Sequence, residues 1–234
     1  MRVGITGSSG LIGTALARHL REGGHEAIGI VRRAADGSGE LHWDPAAGTI
    51  DRGRLATLDA VVHLAGAGIG DHRWTDEYKR TLVDSRVQGT ATLATAMAEL
   101  GADGPTVLVS GSAIGYYGDR GDEVLDESAA AGEGFLADIC RAWEAATTPA
   151  EEAGVRVTHI RTGIVLSRHG GALKKMLPLF KLGVGGRFGS GRQWMSWISI
   201  HDQVSAIEHL LTHDVRGAVN LTAPAPVRNA EFAS

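Results

Sequence analysis

The sequence predicts an α/β fold, a doubly wound parallel sheet with a small C-terminal lobe, on three observations. Short apolar runs recur at residues 3–5, 25–31, 58–66, 106–109 and 155–160, too short for helices and suited to strands buried on both faces. Segments of helical apolar spacing lie between them, the first carrying Leu11, Ile12, Ala15, Leu16, Ala17 and Leu20. The 33 glycines punctuate strand–helix junctions and build neither a linker nor a repeat.

The first junction is the most informative. A strand at residues 3–5 runs into Thr6-Gly7-Ser8-Ser9-Gly10-Leu11-Ile12-Gly13, and a helix follows. Gly7 permits a tight turn, Gly10 lets backbone approach a pyrophosphate, and Gly13 lets the helix pack on the strand. The helix start then offers free N–H groups and a positive dipole end to an anion. This is the dinucleotide-binding turn of a Rossmann fold, with Thr6, Gly7, Ser9, Gly10, Leu11, Ile12 and Gly13 as its cofactor-binding residues.

Bulk properties bound the rest. The 234 residues suffice for one large domain, or for a domain with a small second lobe. A net charge of -4 argues against nucleic acid as partner. Cys140 is the only cysteine, so no intrachain disulfide can form and a reducing, cytoplasmic setting fits. The start lacks the pattern of a signal peptide, and no apolar run is long enough for a membrane span.

Taken in order, the strand at 25–31 ends at Arg32 and Arg33, where an NAD-binding domain usually carries an acidic residue for the ribose 2′-hydroxyl. Two arginines suit a 2′-phosphate instead, which predicts NADP. A short strand at 40–45 ends at Trp43-Asp44-Pro45, a candidate edge of the adenine pocket or a plain strand end. The strand at 58–66 closes on Leu64, Ala65 and Gly66, small enough to leave a ligand crevice at the carboxyl edge of the sheet. Residues 74–100 read as one long helix or two joined ones, and residues 135–153 as another helix. Between them the strand at 106–109 leads into Ser110-Gly111-Ser112-Ala113-Ile114-Gly115-Tyr116-Tyr117-Gly118, where hydroxyls gather at a carboxyl end.

The predicted division is a nucleotide-binding domain over 1–166 and a small substrate lobe over 167–234. The lobe holds a helix at 172–182 with Lys174 and Lys175, a glycine-rich loop at 183–191, a strand at 194–200, a helix at 201–211 and a strand at 217–221. Asn229 would cap a helix that begins too close to the end to be completed, so the chain looks shortened. His209 and His213 lie one helical turn apart, without a third ligand, and read as helix-surface histidines; no metal site is expected.

Several motifs together resemble the extended short-chain dehydrogenase/reductases, and within them an atypical epimerase-like family sometimes labelled a cell-division inhibitor. They are the glycine turn, His63-Leu64-Ala65-Gly66, Arg73-Trp74-Thr75, Asp84-Ser85-Arg86-Val87, residues 110–118, Cys140-Arg141-Ala142-Trp143-Glu144, Arg161-Thr162-Gly163-Ile164-Val165-Leu166, and Trp194-Met195-Ser196-Trp197-Ile198. The resemblance implies a serine, a tyrosine and a lysine four residues after the tyrosine as a proton relay. The corresponding helix instead reads Phe135-Leu136-Ala137-Asp138-Ile139-Cys140-Arg141, so the pair is absent. Ser112 survives as the serine, with Tyr117 or Tyr116 as stand-in acid. An unassisted tyrosine, with a pKa near ~10, needs a nearby cation, for which Arg86 and Lys79 are candidates. Arg86, standing where an asparagine is expected, is grouped with the cofactor-binding residues.

The resulting expectation is an NADP-dependent oxidoreductase or epimerase acting on a small-molecule hydroxyl or carbonyl. Ser112 and Tyr117 would polarise the substrate oxygen, and Arg187 and Arg192 would be available for an anionic substrate group. The alternatives are a catalytically degenerate NADP(H)-binding sensor or scaffold, and a lyase using NADP as a permanent redox relay. The helices at 74–100 and 135–153 are candidates for homodimer pairing.

Overall fold

The computed structural model describes residues 1–183 and 185–233; Val184 of the glycine-rich loop and the side chain of Lys175 lie outside the described residues. The chain begins with β1 (Arg2–Thr6), α1 (Leu11–Glu22), β2 (Glu26–Val31), β3 (Glu40–Asp44), β4 (Thr49–Ile50), α2 (Arg52–Leu55), β5 (Ala60–His63) and α3 (Asp76–Leu100). It continues through β6 (Val107–Ala113), α4 (Phe135–Ala145), α5 (Thr148–Glu152), β7 (Arg156–Thr162), β8 (Ile164–Leu166) and α6 (Gly171–Lys181). It ends with β9 (Trp194–Met195), β10 (Trp197–Ser199), α7 (Ile200–Thr212), β11 (Gly217–Leu221), β12 (Val227–Arg228) and α8 (Asn229–Phe232).

Eight strands form one sheet in the order β11-β7-β6-β5-β1-β2-β3-β4, parallel except for the β3–β4 hairpin. Successive residues of one strand feed opposite cores. Val62 joins Val3, Ile5, Leu16 and Ile207 on the α1/α7 face, whereas Val61 joins Leu93, Met97 and Leu108 on the α3 face. Burial on both faces is why these strands read as continuous apolar runs. Thr75 caps α3, its hydroxyl accepting from the Tyr78 N–H at 3.2 Å, and the helix runs unbroken to Leu100. No helix among the described residues is long and apolar enough to cross a membrane.

Three expectations are corrected. The helix foreseen at 135–153 is two, because Pro149 has no N–H to donate and its ring crowds the preceding turn. The strand foreseen at 194–200 is split: β9 pairs with β12 and β10 with β8, and the Ser196 carbonyl between them accepts from the Ile164 N–H at 2.8 Å. Residues 167–234 are not a separate lobe. β11 is an edge strand of the main sheet, and Ile198, Val204, Ile207, Leu210, Leu211 and Leu221 belong to the core that α1 covers. The amphipathic face of α7 finds its apolar partner there.

Candidate functional site

The site begins where chain order reverses. From β1 the chain moves to β2 on one side and returns as β5 on the other, which opens a crevice at the carboxyl ends of β1 and β5. Gly7 turns the chain there with φ +65°, and a Cβ on it would stand 3.0 Å from the Leu64 backbone. At Gly13 a Cβ would lie 2.2 Å from the Gly7 carbonyl oxygen, so α1 packs directly on the turn. Gly10 caps α1 without a side chain, and the first turn has no acidic residue to neutralise its dipole. The N–H groups of the first turn are thus left with no side chain competing for them, an arrangement that suits an anion.

A cleft of about 420 Å³ extends from this turn toward β6 and β7. Gly7, Gly10, Leu11, Ile12, Gly13 and Leu64 form one wall, and Ser112, Trp143 and Thr162 lie opposite. Residues Gly171 and Ala172 of α6 also reach it. Ser9 is exposed on the turn, and Gly66 is exposed beyond β5. Thr6 is committed elsewhere. Its buried hydroxyl accepts from the N–H groups of Leu64 and Ala65 at 3.0 and 3.1 Å and lies 2.8 Å from His63 Nδ1. With both backbone donors accepted, the hydroxyl proton goes to Nδ1, and His63 carries its own on Nε2. Burial, with the Arg86 charge adding to it, holds the His63 pKa at about 3, so the ring stays neutral.

Ser112 and Tyr117 enter one buried network. The Ser112 hydroxyl donates to Glu144 Oε1 at 2.6 Å. Arg161 donates to both oxygens of the same carboxylate at 2.9 Å, and through Nη1 to the Tyr117 hydroxyl at 3.0 Å. Tyr117 donates onward to Asn220 Oδ1 at 2.7 Å. Burial pushes the Glu144 carboxyl up, but hydrogen bonds from Arg161 and Ser112 outweigh it, and the net shift is down. Burial likewise works against the Arg161 charge, and Glu144 and Tyr117 more than compensate. The pair is therefore fully ionised at neutral pH. Two consequences follow for the expected catalysts. Ser112 lines the cleft and gives its proton inward to Glu144, so toward a ligand it is left to accept from a hydroxyl rather than to polarise a carbonyl. Tyr117, expected as the acid, is buried, outside the cleft lining, and hydrogen-bonded to Arg161 and Asn220. Tyr116 is partly exposed, with the Arg161 guanidinium 3.4 Å from its ring centre.

The arginines at the end of β2 differ. Arg32 is exposed with no ion pair or hydrogen bond among the described residues. Arg33 grips both oxygens of Glu40, one through Nη1 at 2.7 Å and the other through Nη2. Arg86 lies across Gly66 and 5.0 Å from the Trp143 ring, while Lys79 sits 5.5 Å from the Phe135 ring. Cys140 is buried, and burial raises its thiol pKa. Arg187 and Arg192 are exposed in the loop before β9.

Other expectations resolve as packing. Trp43 is a core residue, edge-on to His63 at 5.8 Å, and does not border an adenine pocket. Asn229 does not cap α8; it is buried and accepts from the Phe188 N–H at 2.7 Å, with Arg228 in the cap position. His209 and His213 stack on each other at 3.8 Å. The residues given no role in the sequence are Glu144, Arg161, Trp143 and Asn220. An arginine inside the buried run of β7 was the available signal, because such a charge requires a buried partner.

Residues 3–222 match the model of the NAD dependent epimerase/dehydratase family. An epimerase family protein of Mycobacterium bovis is 50% identical over 231 residues, covering 98% of this chain and 76% of that one. The crystal structure of a nucleoside-diphosphate sugar epimerase from Corynebacterium glutamicum matches with a TM-score of 0.85 at 43% identity, over 100% of this chain and 48% of that one. That of the human epimerase family protein SDR39U1 with NADPH matches with a TM-score of 0.89 at 35% identity, over 100% and 78%.

Proposed function

The chain belongs to the NAD dependent epimerase/dehydratase family, and from that premise we propose that it is an NADP-dependent oxidoreductase or epimerase acting on a small-molecule hydroxyl or carbonyl. The single observation that carries the reading is the cleft, which joins an uncapped helix start and a turn without room for a Cβ at Gly13 to the polar wall at Ser112. The residues fit a dinucleotide: N–H groups of Leu11, Ile12 and Gly13 for the pyrophosphate, Leu64 along the nicotinamide side, and Arg32 for a 2′-phosphate. NADPH in the human relative supports the choice of NADP. Bound NADP would supply a hydride donor or acceptor, while Ser112 accepts a hydrogen bond from the substrate hydroxyl and the apolar walls at Leu64, Ile160 and Trp143 exclude water.

Titration with NADPH and NADH, followed by nicotinamide fluorescence, tests this. NADPH should bind more tightly, and Arg32→Ala should lose roughly tenfold in NADPH affinity with NADH little changed, as for a charge-assisted contact to phosphate. Equal affinities in both proteins would sink the NADP assignment. A second reading, a cofactor-binding sensor without turnover, is favoured by the inward Ser112 proton and the committed Tyr117. Hydride exchange between labelled NADPH and a panel of carbonyl compounds separates the two.

A further inference from the structure

Arg86 is an uncompensated cation held against the wall of the cleft. It is partly buried, and its guanidinium makes one hydrogen bond, Nη1 donating to the Leu82 carbonyl at 3.0 Å. No carboxylate among the described residues pairs with it. Burial depresses its pKa, and no carboxylate is among the groups that favour its charge. The Arg86 side chain lies against Gly66 just beyond β5, where a Cβ would touch its Cζ at 3.4 Å. On its other side lies Trp143, which lines the cleft next to Ser112.

Arg161 provides the contrast. It lies deeper in the same region and has a carboxylate on its fork, whereas Arg86 has none. A half-buried guanidinium without a counter-ion is costly unless something anionic completes it. An independent observation agrees. The indole Nε1–H of Trp143 is buried with no acceptor. The guanidinium and this N–H are both donors, which suits an acceptor-only ligand.

We propose that Arg86 anchors an anionic group of the substrate, a carboxylate or a phosphate, with the Trp143 indole N–H as a second donor. The inference rests on the dinucleotide reading, because the glycine turn takes the cofactor pyrophosphate and leaves Arg86 for the second ligand. The substrate is then an acidic hydroxy or oxo compound, or a phosphorylated one, and not a neutral alcohol.

Calorimetric titration of the full chain with sodium glycolate, D-glucuronate and inorganic phosphate, with D-glucose as neutral comparison, tests the proposal in NADPH-saturated and cofactor-free protein. At least one anion should bind where glucose does not. Arg86→Met should weaken that binding roughly tenfold or more, with Arg86→Lys intermediate, while NADPH affinity stays within about threefold. The thermal midpoint of Arg86→Met shows whether its loss is a folding defect, and Arg86→Lys retains the charge. Anion binding unaffected by either substitution overturns the proposal, as does phosphate that competes with NADPH while Arg86→Met loses NADPH itself; the arginine would then serve the cofactor. Failure of the unaltered protein to bind NADPH sinks the dinucleotide reading separately, and the cofactor-free titration still decides the role of Arg86.

Discussion

At His63 one buried ring ties the phosphate turn to the stability of the sheet. The imidazole is fully buried, accepts the Thr6 hydroxyl hydrogen bond on Nδ1, and stays neutral with a pKa of about 3 against 6.5 when unfolded. Between these values the unfolded chain binds a proton that the folded chain does not. Stability is therefore complete above pH 6.5 and falls as the pH drops toward 3, at about 1.4 kcal/mol per pH unit once the unfolded ring is protonated. His159, whose pKa burial also lowers, adds to the slope in the same direction. Urea unfolding at pH 7, 6 and 5 should show this decline, and His63→Asn should flatten it. An unchanged slope in the variant would refute the assignment. The Ser112–Glu144–Arg161 arrangement belongs to the same scale: a serine legible from its strand has its hydrogen-bond polarity set by a carboxylate on another element.

At the scale of elements, the β1–α1 unit was legible almost residue by residue, because turn, cap and periodicity are local in sequence. Its close packing makes a test. Gly13→Ala would place a methyl 2.2 Å from a backbone oxygen, which cannot rotate away. It should destabilise the protein by about 1–3 kcal/mol and, by pushing α1 off the turn, weaken NADPH binding at least tenfold. Gly24 is the control. Its φ is +81°, unlike that of the helical Gly13, but nothing lies within 4 Å of its Cβ position, so Gly24→Ala should cost only the backbone strain, about 1 kcal/mol, and leave NADPH binding intact. Equal loss of NADPH binding in both variants would mean that α1 does not meet the ligand. The α4–α5 break was less legible, since 135–153 keeps helical spacing and only Pro149 interrupts the hydrogen bonds.

The whole molecule joins the N-terminal and C-terminal parts more closely than composition suggests. α7 lies on α1, where Glu208 accepts from or ion-pairs with His19 at 2.7 Å, and β11 extends the sheet beside β7. Ligand binding at the turn should thus stabilise the entire fold as one unit. NADPH at about 100 times its dissociation constant should add about 2.7 kcal/mol to unfolding, seen as a single thermal transition moved upward. A split transition, with α7 and β11 unmoved, would show the two parts to be independent.

The sequence by itself determined the doubly wound fold and the glycine turn that joins β1 to α1, because strand runs, helix spacing and glycine turns are written in neighbouring residues. Only the tertiary structure decided which polar groups remain available. Tyr117 and Thr6 are committed by partners 103 and 57 to 59 residues away, and Arg161 is neutralised while Arg86 is not. Hydrogen-bond commitment depends on what the sheet order brings together, and that order places β11 beside β7 and β5 beside β1 without regard to distance along the chain.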